Sequence, residues 1–198
     1  MQISDFIGKA FDVPIRSNNA IGDIRSLWDT PQKQRLKGQI LRATDGKTMP
    51  YTLLYYIPGL VTYCGIRGVP VLTGYMSGCY LFRYRSRGEL RAAHVGTDSD
   101  NQEFNRHAKA CWKAYVNRPH VTNVEGFDPL RDVSTDLMMK ARAAGTSPQV
   151  IGVWEGNGAM RVGMVVTDKN QLGKLILVGL EYARLRPWAS IQNDPKMM

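Results

Sequence analysis

The sequence predicts an α+β fold of mostly antiparallel strands, a β-sandwich or sheet with flanking helices. Three observations carry this expectation. Short runs rich in β-branched and aromatic residues recur between turn pairs such as Asp45-Gly46 and Pro58-Gly59. Two of these runs, CYLFRYRS and LRAAHV, read as a hairpin closing at Ser86-Arg87-Gly88. Two other stretches have helical spacing and recognisable ends. The 198 residues suffice for one domain with a sizeable core.

Taken in order, the first 34 residues are mixed. SDFIGKAF offers a short helix capped by Ser4, and residues 21–28 offer another, with Asn18-Asn19 and Thr30-Pro31 as loop punctuation. Residues 1–34 are therefore expected to be an arm or a small helical cap, and residues 35–198 the catalytic α+β domain. Strands are expected at 35–43, 51–57, 60–66 and 69–72. In the hairpin, Tyr80, Phe82 and Tyr84 alternate with Leu81, Arg83 and Arg85, and a return strand runs over 90–95. A helix follows to about Val116, started by Asp98 or by the capping box Ser99-x-x-Gln102 and stopped at Arg118-Pro119. A second helix runs from Asp128 or Pro129 to Ala144 and ends at Gly145. Strands at 150–155, 160–167 and 175–182 complete the fold.

Composition narrows the function classes. Hydrophobic residues make up 43% and mean hydropathy is -0.28, which fits a folded globular chain rather than a disordered one. No run of 18 apolar residues occurs, so no membrane-spanning helix is expected. The N-terminal stretch lacks the charged and apolar regions of a secretory signal peptide, although a specialised secretion route would leave no such mark. Three cysteines, Cys64, Cys79 and Cys111, exclude a disulfide framework and point to a reducing cytosol at the site of action. No CxxC, HxxxH, Walker loop or GxSxG is present, so neither metal nor cofactor is expected.

The hairpin carries the chemistry. A two-residue loop at Ser86-Arg87 would set Arg85 against Gly88 and Cys79 directly against His94. Directly opposed residues have Cβ atoms roughly 4.5–5.5 Å apart, within thiol-to-imidazole reach. A loop one residue longer would send the two to opposite faces. A free thiol is only slightly ionised at neutral pH, and an adjacent imidazole that takes its proton raises the thiolate fraction. Ser77-Gly78 leaves the backbone before Cys79 uncrowded, so N–H groups there can serve as an oxyanion hole. A third group must hold the imidazole. The bland alternative is that Cys79 is a small buried hydrophobe at a strand start.

The segment LTGYMSGC, followed by His94 15 residues after the cysteine, resembles the glutamine deamidases of the cytotoxic necrotizing factor class. These include the chemoreceptor deamidase CheD and the Burkholderia lethal factor. Members carry a Ser-Gly-Cys turn, then a histidine on the adjacent strand. Lethal-factor-like and CheD-like members also have a threonine six residues before the cysteine, here Thr73. The resemblance covers residues 69–96, and Met76 stands where leucine is common. It implies a β-sandwich with flanking helices and hydrolysis of a protein glutamine side chain to glutamate. Cys79 would be nucleophile, His94 base and acid, and Thr73 the group orienting the imidazole. It also implies a protein substrate, a transglutaminase side activity, and a bacterial toxin or virulence effector acting in another cell's cytosol.

Other features have competing readings. His107 and Cys111 share a helix face, as a two-ligand metal pair or, more simply, as surface and core. His120 is a loop residue or a spare imidazole near the site. Cys64 is a second thiol without a histidine in comparable register. Asp98 and Asp100 line the site's mouth or cap the helix, and Trp154 with Glu155 forms a site wall or core. The charge of +9 and a pI of about 9.6 arise from 26 Lys+Arg against 17 Asp+Glu. Arg83 and Arg85 are on the Cys79 face and offer a docking patch for an acidic partner, or simply a solvated edge. Nucleic acid is the second reading, with Tyr80, Phe82 and Tyr84 as stacking faces. A non-catalytic protein-interaction domain is the third.

Overall fold

In the computed structural model the chain is described over residues 2–12, 30–33, 39–76, 78–97, 101–171 and 173–197. Its strands in order are β1 (Ala10–Asp12), β2 (Gln32–Lys33), β3 (Gln39–Ala43), β4 (Thr48–Leu53), β5 (Val61–Gly65), β6 (Val71–Met76), β7 (Tyr80–Ser86), β8 (Glu89–Val95), β9 (Val121–Phe127), β10 (Thr146–Trp154), β11 (Met160–Thr167), β12 (Leu175–Tyr182) and β13 (Arg186–Pro187). The helices are α1 (Gln102–Val116), α2 (Pro129–Asp132), α3 (Thr135–Ala144) and α4 (Trp188–Ile191). The fold is α+β and mostly strand, as expected.

Seven strands close into a barrel in the order β1-β12-β11-β10-β6-β4-β3. A second, six-stranded sheet runs β13-β9-β7-β8-β5-β2. All pairings are antiparallel except β4 with β6 and β2 with β5. Alternation along the strands sorts side chains into three layers. Leu41, Tyr51, Leu72 and Val153 fill the barrel with Phe6 and Phe11. Val71, Trp154, Val162 and Met164 of the barrel wall meet Cys64, Cys79, Leu81 and Ala92 of the second sheet. Tyr80, Phe82, Tyr84, Ala93 and Val95 face the other way, onto Ala108, Trp112 and Tyr115 of α1.

Several expectations change. Within the 1–34 segment, residues 2–12 are built into the barrel, where Ile3–Phe6 form a 3-10 turn, not a Ser4-capped helix, and β1 bridges β12 and β3, while β2 joins the second sheet beside β5. The helix expected at 21–28 lies outside the described residues. The flanking helices lie on two faces: α3 buries Leu137 and Ala141 against the barrel while α1 covers the second sheet. The helix expected over 128–144 is two helices, since Ser134 caps a fresh start by accepting from the Leu137 amide. Asn101 caps α1 through the Phe104 amide, and Asp98, Ser99 and Asp100 lie outside the described residues.

Candidate active site

The hairpin turn is Arg87-Gly88, not Ser86-Arg87. Both residues have positive φ, 51° and 80°, the type I′ pattern that matches strand twist. Ser86 therefore pairs with Glu89, and Leu81 pairs with His94. The register differs from expectation by two residues, so every side chain keeps its face. Cys79 comes one residue before Tyr80, which pairs with Val95. Cys79 and His94 are thus diagonal neighbours rather than directly opposed. Diagonal pairs are roughly 7–8 Å apart, within reach of aromatic and long side chains such as an imidazole.

Thr73 arrives from the other sheet. On β6 it pairs with Gly152 of β10 and points, like Val71, toward the second sheet. Its Oγ1 is 2.7 Å from His94 Nδ1, and both residues are fully buried. Gly152 explains how two sheets come this close. A Cβ there would lie 2.1 Å from Leu81 Cδ1, so Leu81 of one sheet seats over the bare backbone of the other. Beside it, Thr73 meets His94. Face-to-face sheets ordinarily stand about 10 Å apart, and this knob-and-hollow brings short side chains into bonding range.

The imidazole is neutral in this layer. Burial holds its pKa down at about 3, because the charged ring would lose its hydration. Thr73 Oγ1 and His94 Nδ1 share a hydrogen bond whose direction follows the ring tautomer, and Nε2 is buried with no hydrogen-bond partner among the described residues. Tyr56 packs on the ring with centroids 5.3 Å apart, and its hydroxyl donates to the Thr97 carbonyl at 2.6 Å. The same Thr97 holds the thiol: its Oγ1 is 3.7 Å and its carbonyl oxygen 3.8 Å from Cys79 Sγ. Cys79 is 1% exposed. Gly78 has φ of 154°, a conformation disfavoured for other residues, so glycine is required at the bend before the thiol. Ser77 lies outside the described residues.

Sequence reasoning missed Tyr56, Thr97 and Gly152. Tyr56 falls in a strand expected over 51–57, but β4 ends at Leu53 and leaves Tyr56 in the loop beyond, and Thr97 follows the last strand residue. Gly152, a glycine inside an apolar strand run, was a readable sign of close approach.

The remaining candidates fall elsewhere. Arg83 is tied to Glu125 Oε2 at 2.5 Å and donates to the Gly158 carbonyl at 2.8 Å. Arg85 is exposed and donates to Gly88 O. Both line a groove with Asn123, Glu125 and Asn157, roughly 13–20 Å along β7 from Cys79, and not the thiol's surroundings. Tyr80, Phe82 and Tyr84 are wholly buried against α1, which closes the stacking role for nucleic acid. Cys64 is buried, with its thiol pushed up to about 12, and so is inert. His120 accepts from the Arg87 amide at the turn end of the hairpin, remote from Cys79. Trp154 is core, donating its indole N–H to Phe82 O, and Glu155 pairs with Arg161. Cys111 is core and His107 lies 3.6 Å from Glu103. No group of three metal-ligating side chains occurs among the described residues, and no helix there is long and apolar enough to cross a membrane. No protein-family model matches the chain, and no curated protein matches it.

Proposed function

We propose that the chain is a cysteine-dependent protein-glutamine deamidase, with Cys79 as nucleophile, His94 as base and acid, and Thr73 as the residue that orients the imidazole. The observation that carries the reading is the buried Thr73 Oγ1–His94 Nδ1 contact of 2.7 Å, made across two sheets. It leaves the partnerless Nε2 on the layer that also holds Cys79. A merely structural histidine in a dry layer would be expected to satisfy both nitrogens. The resemblance of Thr73, Ser77-Gly78-Cys79 and His94 to the deamidase pattern supplies the reaction class.

In the closed site the imidazole is neutral, since a lone charge in this layer is costly. A carboxamide entering past Tyr56 and Thr97 brings the reacting carbon to Sγ. The thiol proton passes to Nε2 as the S–C bond forms, and backbone amides near Gly78 receive the developing oxyanion. His94 then gives that proton to the departing nitrogen, and ammonia leaves a thioester. Water, deprotonated by Nε2, adds to the thioester; the thiolate leaves and takes that proton back from His94, restoring the starting enzyme, and the released carboxylic acid ionises to glutamate. A primary amine in place of water gives transglutamination.

The test is mass spectrometry of proteins incubated with the chain, reading carboxamide-to-carboxylate conversion at glutamine, together with capture of a labelled primary amine. Both signals are expected with the native chain and absent with Cys79→Ala. Conversion that persists in Cys79→Ala, or no conversion and no amine capture across a broad protein mixture, overturns the reading.

A further inference from the structure

A second cavity lies at the turn end of the β7–β8 hairpin, eight residues along the chain from Cys79. It measures about 270 Å³, and Arg87, Arg91 and Arg118 line it with His120, Tyr63 and Tyr115. No carboxylate is among its described lining residues. Glu89, the acid paired with Arg91, is already shared: it accepts from Arg67 Nη2 and from Arg91 Nε, each at 2.9 Å. Among the described residues, no acidic side chain pairs with Arg87 or Arg118. Positive charge is therefore in excess here.

Two of the guanidiniums stack on tyrosine rings. Arg91 Cζ sits 5.0 Å over the Tyr63 ring, and its Nη1 reaches the Tyr115 hydroxyl at 3.4 Å. Arg118 Cζ sits 5.4 Å over the Tyr115 ring. Arg87 is the informative one. It occupies the first central position of a type I′ turn with φ of 51°, where asparagine, aspartate or glycine is favoured. A long cationic side chain there retains backbone strain, and strain of this kind marks functional positions. The cavity falls just under the usual range of roughly 300–1,000 Å³ for small-molecule sites. Three guanidinium forks suit a dianion with three acceptor oxygens better than a single carboxylate, and the tyrosine walls suit a ring beside it.

We infer that this cavity binds a small phosphomonoester, with Arg87, Arg91 and Arg118 on the phosphoryl group and Tyr63 and Tyr115 beside its organic part. The site is independent of Cys79 chemistry. The test is calorimetric titration of the full chain at constant ionic strength with adenosine monophosphate and with inorganic phosphate. Saturable binding is expected for both, tighter for the ester. Arg87→Asn, which gives the turn its preferred Asn-Gly pair, is expected to weaken binding roughly tenfold or more. Its melting temperature without ligand is expected to hold or rise. Arg118→Gln, outside the turn, is expected to weaken binding similarly. No saturable binding, an ester that binds no tighter than phosphate, unchanged affinity in both variants, or retention only of oligonucleotides would each overturn the inference.

Discussion

At the scale of single residues, Thr73 decides whether His94 is a base or only a core side chain. Thr73→Val keeps the shape and removes the oxygen 2.7 Å from Nδ1. The ring then has two unsatisfied nitrogens in a dry layer, a loss of about 1–3 kcal/mol. Chemical denaturation should show that loss. Deamidation, in the reading proposed above, should fall further than stability alone explains, since the tautomer is no longer set. Thr73→Ser restores the oxygen and should recover most of both. Equal activity in Thr73→Val and Thr73→Ser would show that the contact only packs. Cys79 and His94 were singled out as scarce side chains, each one of three of its kind, in hairpin register, and Thr73 by the family resemblance. Tyr56 and Thr97 were not, because their roles come from a loop meeting a strand end, which no local pattern encodes. The direct opposition expected for Cys79 and His94 was displaced by the φ preference of Gly88, which moved the turn by one residue and the register by two.

At the scale of elements, the close approach of β6–β10 to β7–β8 rests on Gly152 beneath Leu81. Gly152→Ala puts a methyl where Leu81 Cδ1 now sits and must push the second sheet outward. Overpacking of this kind costs about 1–3 kcal/mol. It should also lengthen the Thr73–His94 contact. Leu81→Ala alone opens a cavity and costs about 2–5 kcal/mol. The double variant should be more stable than the sum of the two single losses, because each change relieves the other. A double-mutant cycle in urea reads the coupling, and strict additivity would mean that the two residues do not control the spacing. The same logic explains what the sequence hid. Strand β9 was missed because Asn123, at φ of 51°, accompanies a register shift that breaks its alternation, and Gly126 lowers its strand propensity. Gly126 is there because the Phe82 ring occupies the space its Cβ would need. Strands β11 and β12, whose runs are mostly apolar, were legible to the residue.

At the scale of the whole molecule, layering puts an ionisable ring where stability depends on pH. His94 is neutral when folded, with its pKa lowered by burial to about 3, against about 6.5 when the chain unfolds. Between those values the unfolded chain binds one more proton than the folded one. Stability therefore rises with pH across that window, is complete above about pH 6.5, and is lost progressively as pH falls toward 3. The limiting effect is about 5 kcal/mol, a large share of what a domain of this size has. Other groups act in the same direction: salt bridges and hydrogen bonds hold Glu89 and Asp194 below the usual carboxylate range, and protonating them also favours unfolding. The histidine must therefore be isolated. His94→Asn retains an amide nitrogen near the Nδ1 position and removes the titration. Urea unfolding at a series of pH values from 4 to 7 should show the native slope exceeding that of His94→Asn by about 1.4 kcal/mol per pH unit, one proton's worth, below about pH 5.5, with the difference fading as pH rises through 6.5. Parallel slopes would mean that the imidazole gains water or a partner in solution, and that the layer around Thr73 and Cys79 is open rather than sealed. The slope measures, without any substrate, the closed resting state from which the proposed chemistry must begin.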